Sequence, residues 1–367
     1  MTLGGALQRT SENLGRPLCH PSDATLTRSS AGGGRSERKM LALPLASLGL
    51  RLAVTGASGY LGTEVAWQAV AQGHTVRAVV RSGSQPHHLP DECEVMRVDD
   101  LTDAVSAREA ADGVDAVIHT ASVFQRCDDM EEELVRPNIA LAEQMICACA
   151  ASGARLVLTS SMAAVRGAKQ PPAFGDCYCA DDWNTVSRRD GPGFEPYQYS
   201  KAESERRAWQ IGRQVGAEMV SLCPSMIFGP PRDPACKALS VAMVRKWVDG
   251  EAPVESRLVV DVRDAAQAHL AAATLPDAAG RRYVVSCEAR VPAADLAAAI
   301  RHRLRAAGDA AGEARAARVH TDDGWDGGAV PVGAREVAAE DALWRELGVR
   351  CRSTEETLAD MAAALVK

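Results

Sequence analysis

Three side chains in this sequence have the types and spacing needed to protonate and stabilise a developing alkoxide. Tyr197 and Lys201 lie four residues apart in Pro196-Tyr197-Gln198-Tyr199-Ser200-Lys201. On a helix that spacing puts both on one face, where they can converge on a single point. Tyr199, the competing phenol, stands two residues before the lysine and faces elsewhere. Ser161 closes Thr159-Ser160-Ser161, at the tip of an apolar stretch that reads as a strand. Hydride addition to a carbonyl leaves an alkoxide, and a phenol near its free pKa of about 10 can protonate it, better when tuned toward neutrality. The Lys201 charge is expected to do that tuning by stabilising tyrosinate; a shift of about three units corresponds to roughly 4 kcal/mol. Ser161 is expected to polarise the substrate oxygen through a hydrogen bond.

Hydride needs a carrier, and the sequence offers a place for one. Thr55-Gly56-Ala57-Ser58-Gly59-Tyr60-Leu61-Gly62 sits between a strand pattern and a helix pattern, the context that gives a glycine motif meaning. The glycines permit a tight turn and a close backbone approach. Free N–H groups and the helix dipole then favour a pyrophosphate. The contact set expected here is Gly56, Ser58, Gly59, Tyr60, Leu61 and Gly62. The end of strand two selects the nucleotide. A carboxylate there would accept bonds from a ribose 2′-hydroxyl, but the chain offers Arg77, Arg81 and Ser82, with no acid until Asp91. A guanidinium suits a 2′-phosphate, so NADP(H) is expected, NAD(H) being the alternative, with Arg81 the contact because it ends the strand. Asp100, beside Leu101, is placed to accept from the adenine amino group, although a turn or N-cap role suits it too. Thr120, Ala121 and Ser122 are small residues where a cofactor must pass the backbone. His119 next to them fits strand packing better than acid–base work. Glycine turn, strand-end serine and Tyr/Lys pair together read as a nicotinamide-dependent oxidoreductase.

The elements that must position these groups alternate. Strands are expected at 51–55, 74–81, 94–98, 115–119, 155–159 and 219–222, and helices at 60–72, about 132–151 and 197–215. Such alternation implies right-handed crossovers and a Rossmann-type α/β fold, a doubly wound parallel sheet. A Pro/Gly-punctuated insertion, 167–193, precedes the tyrosine; loops of that length are usually functional or disordered. Residues 293–318 read as a helix with a low-complexity tail. The expected division is a leader (1–49), a nucleotide-binding domain (50–286) and a smaller substrate-binding part (287–367).

Bulk properties narrow the class. A net charge of -7 over 367 residues argues against nucleic acid as the main partner. No apolar run approaches the roughly 20 residues that span a bilayer, so a soluble protein is expected. The eleven cysteines contain no CxxC pair, and Cys147/Cys149 and Cys177/Cys179 have neither zinc nor redox spacing. They read as buried or loop thiols of a reducing compartment, and no metal is expected. Residues 1–49 are Ser-, Gly- and Arg-rich with few acids. They read as a disordered tail, a start upstream of the true Met40, or an organelle transit peptide, which leaves the location cytoplasmic or organellar. Monomer and homodimer both remain open.

The sequence resembles the extended short-chain dehydrogenase/reductases, in the branch of dihydroflavonol and cinnamoyl-CoA reductases. TGASGYLG (55–62), VRAVVR (76–81), DDL (99–101), LTSSMAAV (158–165), YQYSKAESERRAW (197–209), CPSMIFGP (223–230), VDVRDAAQAHLAA (260–272) and RYVVS (282–286) carry it, in family order. The resemblance implies a Ser161/Tyr197/Lys201 triad, with Lys201 also on the ribose. It also implies Thr159 and Ser160 lining the cleft, Pro224 and Ile227 beside the nicotinamide, and Asp181-Asp182-Trp183-Asn184 near the substrate mouth. Pro86-His87-His88 stands where the plant enzymes carry a further basic residue, and the match after Ser286 is diffuse, so substrate identity is not carried over. The implied activity is reduction of an aldehyde, ketone or flavanonol-like small molecule. A nucleotide-sugar epimerase or dehydratase, a steroid-type hydroxy-dehydrogenase and a non-catalytic NADPH sensor are the competing readings.

Overall fold

Small and branched apolar residues build the strands of the sheet, and the central strands send their side chains to two different cores. The computed structural model describes residues 49–124, 127–322 and 328–366; apart from Gly49, the expected leader lies outside the described residues. In chain order the first elements are β1 (Arg51–Thr55), α1 (Tyr60–Ala71), β2 (Thr75–Arg81), β3 (Glu94–Val98), α2 (Ala104–Ala111) and β4 (Ala116–His119). A π-helical turn (Glu131–Val135) then leads into α3 (Arg136–Ser152), β5 (Arg155–Thr159), the one-turn α4 (Met162–Val165), α5 (Glu195–Val215) and β6 (Met219–Pro224). Next come β7 (Met226–Phe228), α6 (Leu239–Asp249), β8 (Val254–Glu255), β9 (Val259–Asp261), α7 (Val262–Thr274) and β10 (Arg282–Val285). The chain closes with α8 (Ala293–Arg305), α9 (Ala310–Arg318), β11 (Thr321–Asp322), α10 (Glu340–Leu347) and α11 (Thr354–Leu365).

Seven strands pair in the order β10-β6-β5-β4-β1-β2-β3, every pair parallel. Leu52, Val54, Val76, Ala78, Ala116, Ile118 and Val157 pack on one face with α1 and α7. Ala53, Val79, Val117, Leu156 and Leu158 pack on the other with α2 and α3. This is the doubly wound sheet expected from the sequence. A third cluster, built on Phe228, Trp247, Leu296, Ile300, Leu358 and Met361, gathers α6, α8 and α11 around the short β7–β9 pair. The described residues belong to one compact unit.

Several boundaries differ from the sequence reading for identifiable reasons. The helix expected from about 132 starts with the π-helical turn, and Pro137 sits just inside the regular helix that follows. Residues 293–318 form two helices. Gly308 turns left-handed (φ 72) and Asp309 accepts from the Gly312 N–H to cap the second. The 167–193 insertion holds no regular element, yet it is pinned. The Asp182 carboxylate accepts from Ala173 N and Cys179 N at 2.7 and 2.8 Å, and Tyr178 is buried against Glu336 and Ala338 backbone.

The β1/β4 boundary is the topological switch, where loops leave in opposite directions and a crevice opens at the strands' carboxyl ends. Gly56, at φ 68, approaches Ala121 so closely that a Cβ would lie 2.9 Å from its backbone. A Cβ on Gly62 would lie 2.3 Å from the Gly56 carbonyl oxygen. Alanine normally beats glycine in a helix by about 1 kcal/mol. Here Gly62→Ala is expected instead to destabilise by about 1–3 kcal/mol, because the obstacle is backbone. Calorimetry should show a lowered Tm; an unchanged or raised Tm would mean that the turn gives way freely.

Candidate active site

Helix α5 owes its start to Pro196 and its end to Gly216 at φ 71. Its first turns lie at the end of β5, where Lys201 meets Thr159, and its later turns pack beside α3 in the second core. Its buried face carries Ser200, Lys201, Ser204, Glu205 and Ala208. Lys201 is only 7% exposed, and its Nζ donates to the carbonyl of Thr159 at 2.9 Å. Burial draws its pKa down to about 8, while the Glu205 carboxylate pulls the other way. Ser161 follows β5 as the N-cap of α4, accepting from Ala163 N at 3.1 Å, which fixes its hydroxyl at the strand end.

Tyr197 stands one turn before Lys201. Burial pushes its pKa up to about 12, and the hydroxyl of Ser161, in hydrogen-bonding range, draws it back. This departs from the expected tuning toward neutrality. Removal from water outweighs the electrostatic help, and the Lys201 ammonium is engaged with a backbone carbonyl. The ring of Tyr197 packs against Phe124, with centroids 4.3 Å apart, and Phe194 lies 6.4 Å beyond. Tyr199 instead lies under the Arg189 guanidinium, 5.9 Å from its ring centre.

The structure divides the expected cofactor residues between the crevice edge and the core. Gly59 N–H closes the turn onto Gly56 O at 2.8 Å, and no side chain caps the start of α1. Its N-terminus therefore keeps the character of an anion site. Ser58 and Gly59 are exposed there, whereas Leu61 is buried in the core. The Tyr60 hydroxyl leaves the crevice to donate to Gly229 O at 2.6 Å. Thr120 Oγ1 donates to Thr55 O at 2.7 Å, and Ser122 Oγ donates to Asn138 Oδ1 at 3.0 Å. Arg81 is exposed at the end of β2. Arg77, by contrast, is occupied by the Asp112 and Glu109 carbonyls and by Glu94. Arg97 braces the loop after Arg81 through the carbonyls of Ser82 and Ser84. Asp100 spends both oxygens on Thr102, at 2.8 and 2.7 Å, as a turn carboxylate does, and Leu101 is core. Pro224 is buried at the end of β6, and Ile227 lies half-buried on β7.

Residues 52–286 match the model of the NAD dependent epimerase/dehydratase family. The chain belongs to that family. Among its relatives, cinnamoyl-CoA reductase 1 of Arabidopsis thaliana is 33% identical over 255 residues, 66% of this chain and 72% of the other. Tetraketide alpha-pyrone reductase 2 of the same plant is 30% identical over 62% of this chain and 75% of its own length. Dihydroflavonol 4-reductase of Hordeum vulgare is 30% identical over 48% of this chain and 53% of its own. The branch that the sequence resembles is thus the one its relatives occupy. Among solved structures, yeast methylglyoxal/isovaleraldehyde reductase complexed with NADPH superposes with a TM-score of 0.71 at 22% identity, over 86% of this chain and 98% of the other. UDP-glucose 4-epimerase of Thermus thermophilus, complexed with NAD, gives 0.64 at 21% identity over 86% and 99%. Family and relatives together place the chain among the NAD(P)-dependent oxidoreductases. No helix among the described residues is long and apolar enough to cross a membrane.

Within this family frame the structure brings in residues that the sequence reading passed over. Glu205, four residues beyond Lys201, is fully buried, and the Tyr-x-x-x-Lys-x-x-x-Glu spacing would have exposed it. His269 on α7 meets Thr159 Oγ1 through Nε2 at 2.8 Å, while its Nδ1 contacts Ala265 O at 2.7 Å. That leaves Nε2 as the acceptor and fixes the residue whose carbonyl holds Lys201. Phe124 has no signal in the sequence, since its place beside Tyr197 depends on how β4's loop folds back. His119 bonds Thr55 Oγ1 at 2.8 Å deep in the sheet.

Burial lowers the pKa of His119 to about 3, helped by Lys201, and that of His269 to about 4, from 6.5. Depressed imidazole values stabilise the fold fully above the unfolded pKa of 6.5 and lose that stability as pH falls toward the folded values. Each histidine is expected to contribute a loss of about 1.4 kcal/mol per pH unit over this range. Urea unfolding from pH 7 to about pH 5 should show the combined slope, and His269→Gln should reduce it by about half. A flat profile in the parent protein would contradict neutral buried imidazoles.

Proposed function

We propose that the chain is an NADPH-dependent reductase that delivers hydride to the carbonyl of an aldehyde, ketone or flavanonol-like small molecule. The observation that carries this is the meeting of the Ser161 and Tyr197 hydroxyls at the carboxyl edge of β5, with the Lys201 ammonium beneath them on Thr159 O. That edge lies across the crevice from the uncapped start of α1. The residues present fit a dinucleotide. Gly56 and Gly62 let the turn close backbone against backbone at the crevice, the helix start favours a diphosphate, and the exposed Arg81 suits a 2′-phosphate. When bound, NADPH would supply the hydride.

The protein's own contribution is positioning and proton transfer. Ser161 would donate to the carbonyl oxygen and polarise it. Tyr197, with a pKa near 12, is wholly in its acid form at neutral pH, and an alkoxide is basic enough to take that proton. Lys201 would then face the tyrosinate and stabilise it, its charge more effective because the site is dry. Phe124 and Phe194 flank the tyrosine with exposed ring surface, which favours a substrate with an apolar or planar group next to its carbonyl. The pinned 167–193 insertion, with Trp183 on it, would form the substrate side of the mouth.

NADPH oxidation should be followed over a panel of aldehydes, ketones, flavanonols and acyl-CoA thioesters. Tyr197→Phe is expected to lower kcat by about 100-fold or more while sparing NADPH binding, as loss of a general acid does. Arg81→Ala should cut the NADPH-over-NADH preference by about tenfold. An active Tyr197→Phe variant would sink the mechanism, and an unchanged cofactor ratio would sink the role of Arg81.

A further inference from the structure

Glu205 has no part in the reaction described above, yet it is more deeply enclosed than any group that does. It is 0% exposed and stands one helical turn beyond Lys201 on the same face of α5. Its two oxygens accept from Ser160 Oγ at 2.7 Å and Ser221 Oγ at 2.5 Å. They also accept from Arg282 Nε at 2.7 Å and its second amino nitrogen at 3.1 Å, with Trp209 Nε1 at 3.4 Å. Arg282, on the edge strand β10, has a second engagement. It donates to the carbonyls of Ala180 and Asp182, each at 2.6 Å, and its guanidinium lies 4.0 Å from the ring centre of Trp183. One ion pair therefore joins the reacting helix, the residue after β5, the middle of β6, the edge strand and the insertion before the tyrosine. Glu205 and Lys201 line the same small cavity of about 10 Å³, with His119, Asn138, Ser160 and Ser204 around it.

We propose that Glu205, clamped by Arg282, is a positioning residue: its carboxylate holds Lys201 as an ammonium against the Thr159 carbonyl and, through Ser160, fixes the strand end that presents Ser161. This rests on reading Lys201 and Tyr197 as the reacting pair. Stability alone does not account for the arrangement, because a buried ion pair is often no more stabilising than apolar residues of the same volume. The groups facing Lys201 are Tyr197 and Glu205 from α5, His119 from β4, the Thr159 carbonyl from β5 and Cys223 from β6, with Arg282 of β10 behind the carboxylate. His119 is held neutral by burial and Cys223 is held as a thiol, so Glu205 is the anion nearest the ammonium. Arg282 and the two serine hydroxyls keep that carboxyl below its ordinary range despite burial.

The test follows the titration of Lys201 itself. In the full chain with lysines carrying ¹³C at Cε, the Lys201 signal is identified by its loss in Lys201→Met. It is then followed against pH in the parent, in Glu205→Gln and in Glu205→Gln/Arg282→Gln. The single variant leaves the Arg282 charge unopposed, so the Lys201 midpoint should fall by about one unit or more, with the double variant between it and the parent. The alkaline limb of NADPH-dependent turnover should move by the same amount. An unmoved midpoint would overturn the assignment, as would a turnover loss equal at every pH. Loss of the fold in both variants, read by circular dichroism, would also overturn it, by making the pair a structural requirement. A shifted midpoint in a protein whose parent reduces nothing on the panel would instead sink the reductase reading and leave the Glu205–Lys201 coupling standing.

Discussion

A buried ammonium is the constraint around which the site is arranged. Removing a lysine charge from water costs several kcal/mol after relaxation, and the chain recovers part of it through a carbonyl bonded to the nitrogen and a carboxylate that acts on it through the field. Thr159 O provides the first at 2.9 Å, and Glu205 on the next turn of α5 provides the second. The remaining geometry follows. β5 must end where its last carbonyl points at α5, His269 must hold Thr159 there, and Arg282 must neutralise the carboxylate that neutralises the lysine. Tyr197 and Ser161 then come near the ammonium because Tyr197 is one helical turn before Lys201 and Ser161 is two residues beyond Thr159.

The second arm of the arrangement is topological. A parallel sheet sends all its carboxyl ends to one edge, and the switch between β1 and β4 opens that edge into a crevice. The glycine turn after β1 and the small residues after β4 nearly touch across it, so a dinucleotide laid along the crevice would end beside β5 and β6. The proposed proton donor and the proposed cofactor therefore meet as a consequence of strand order rather than of any single contact.

Most of the nucleotide-binding half was legible in the sequence because its signals are local. Strands such as Leu52-Ala53-Val54 and the helix stops at Gly153 and Gly216 depend on patterns of a few residues. That Tyr197, Lys201 and Ser161 come together near one strand end was legible for the same reason, and the structure leaves Arg81 exposed while Arg77 is occupied. What was missed depends on distance in the chain. Arg282 reaches Glu205 across 77 positions, and His269 reaches Thr159 across 110. Tyr60 faces Gly229 rather than the crevice for a similar reason, with 169 positions between them. The direction of the Tyr197 shift was misjudged because desolvation belongs to the packed site, not to the neighbouring residues in sequence. The region after Ser286 carried little signal, since α8, α9 and α11 are alanine-rich and find their faces only in the cluster with Trp247 and Phe228.

The central claim is that hydride passes directly from cofactor to a carbonyl whose oxygen takes the Tyr197 proton. It is tested most directly by offering NADPH deuterated at C4 with the best carbonyl substrate and locating the label in the alcohol by mass spectrometry. The account predicts one deuterium on the former carbonyl carbon, formed about 100-fold or more slowly when Tyr197 is phenylalanine. Alcohol that carries no label, or forms as fast without the phenol, would contradict it.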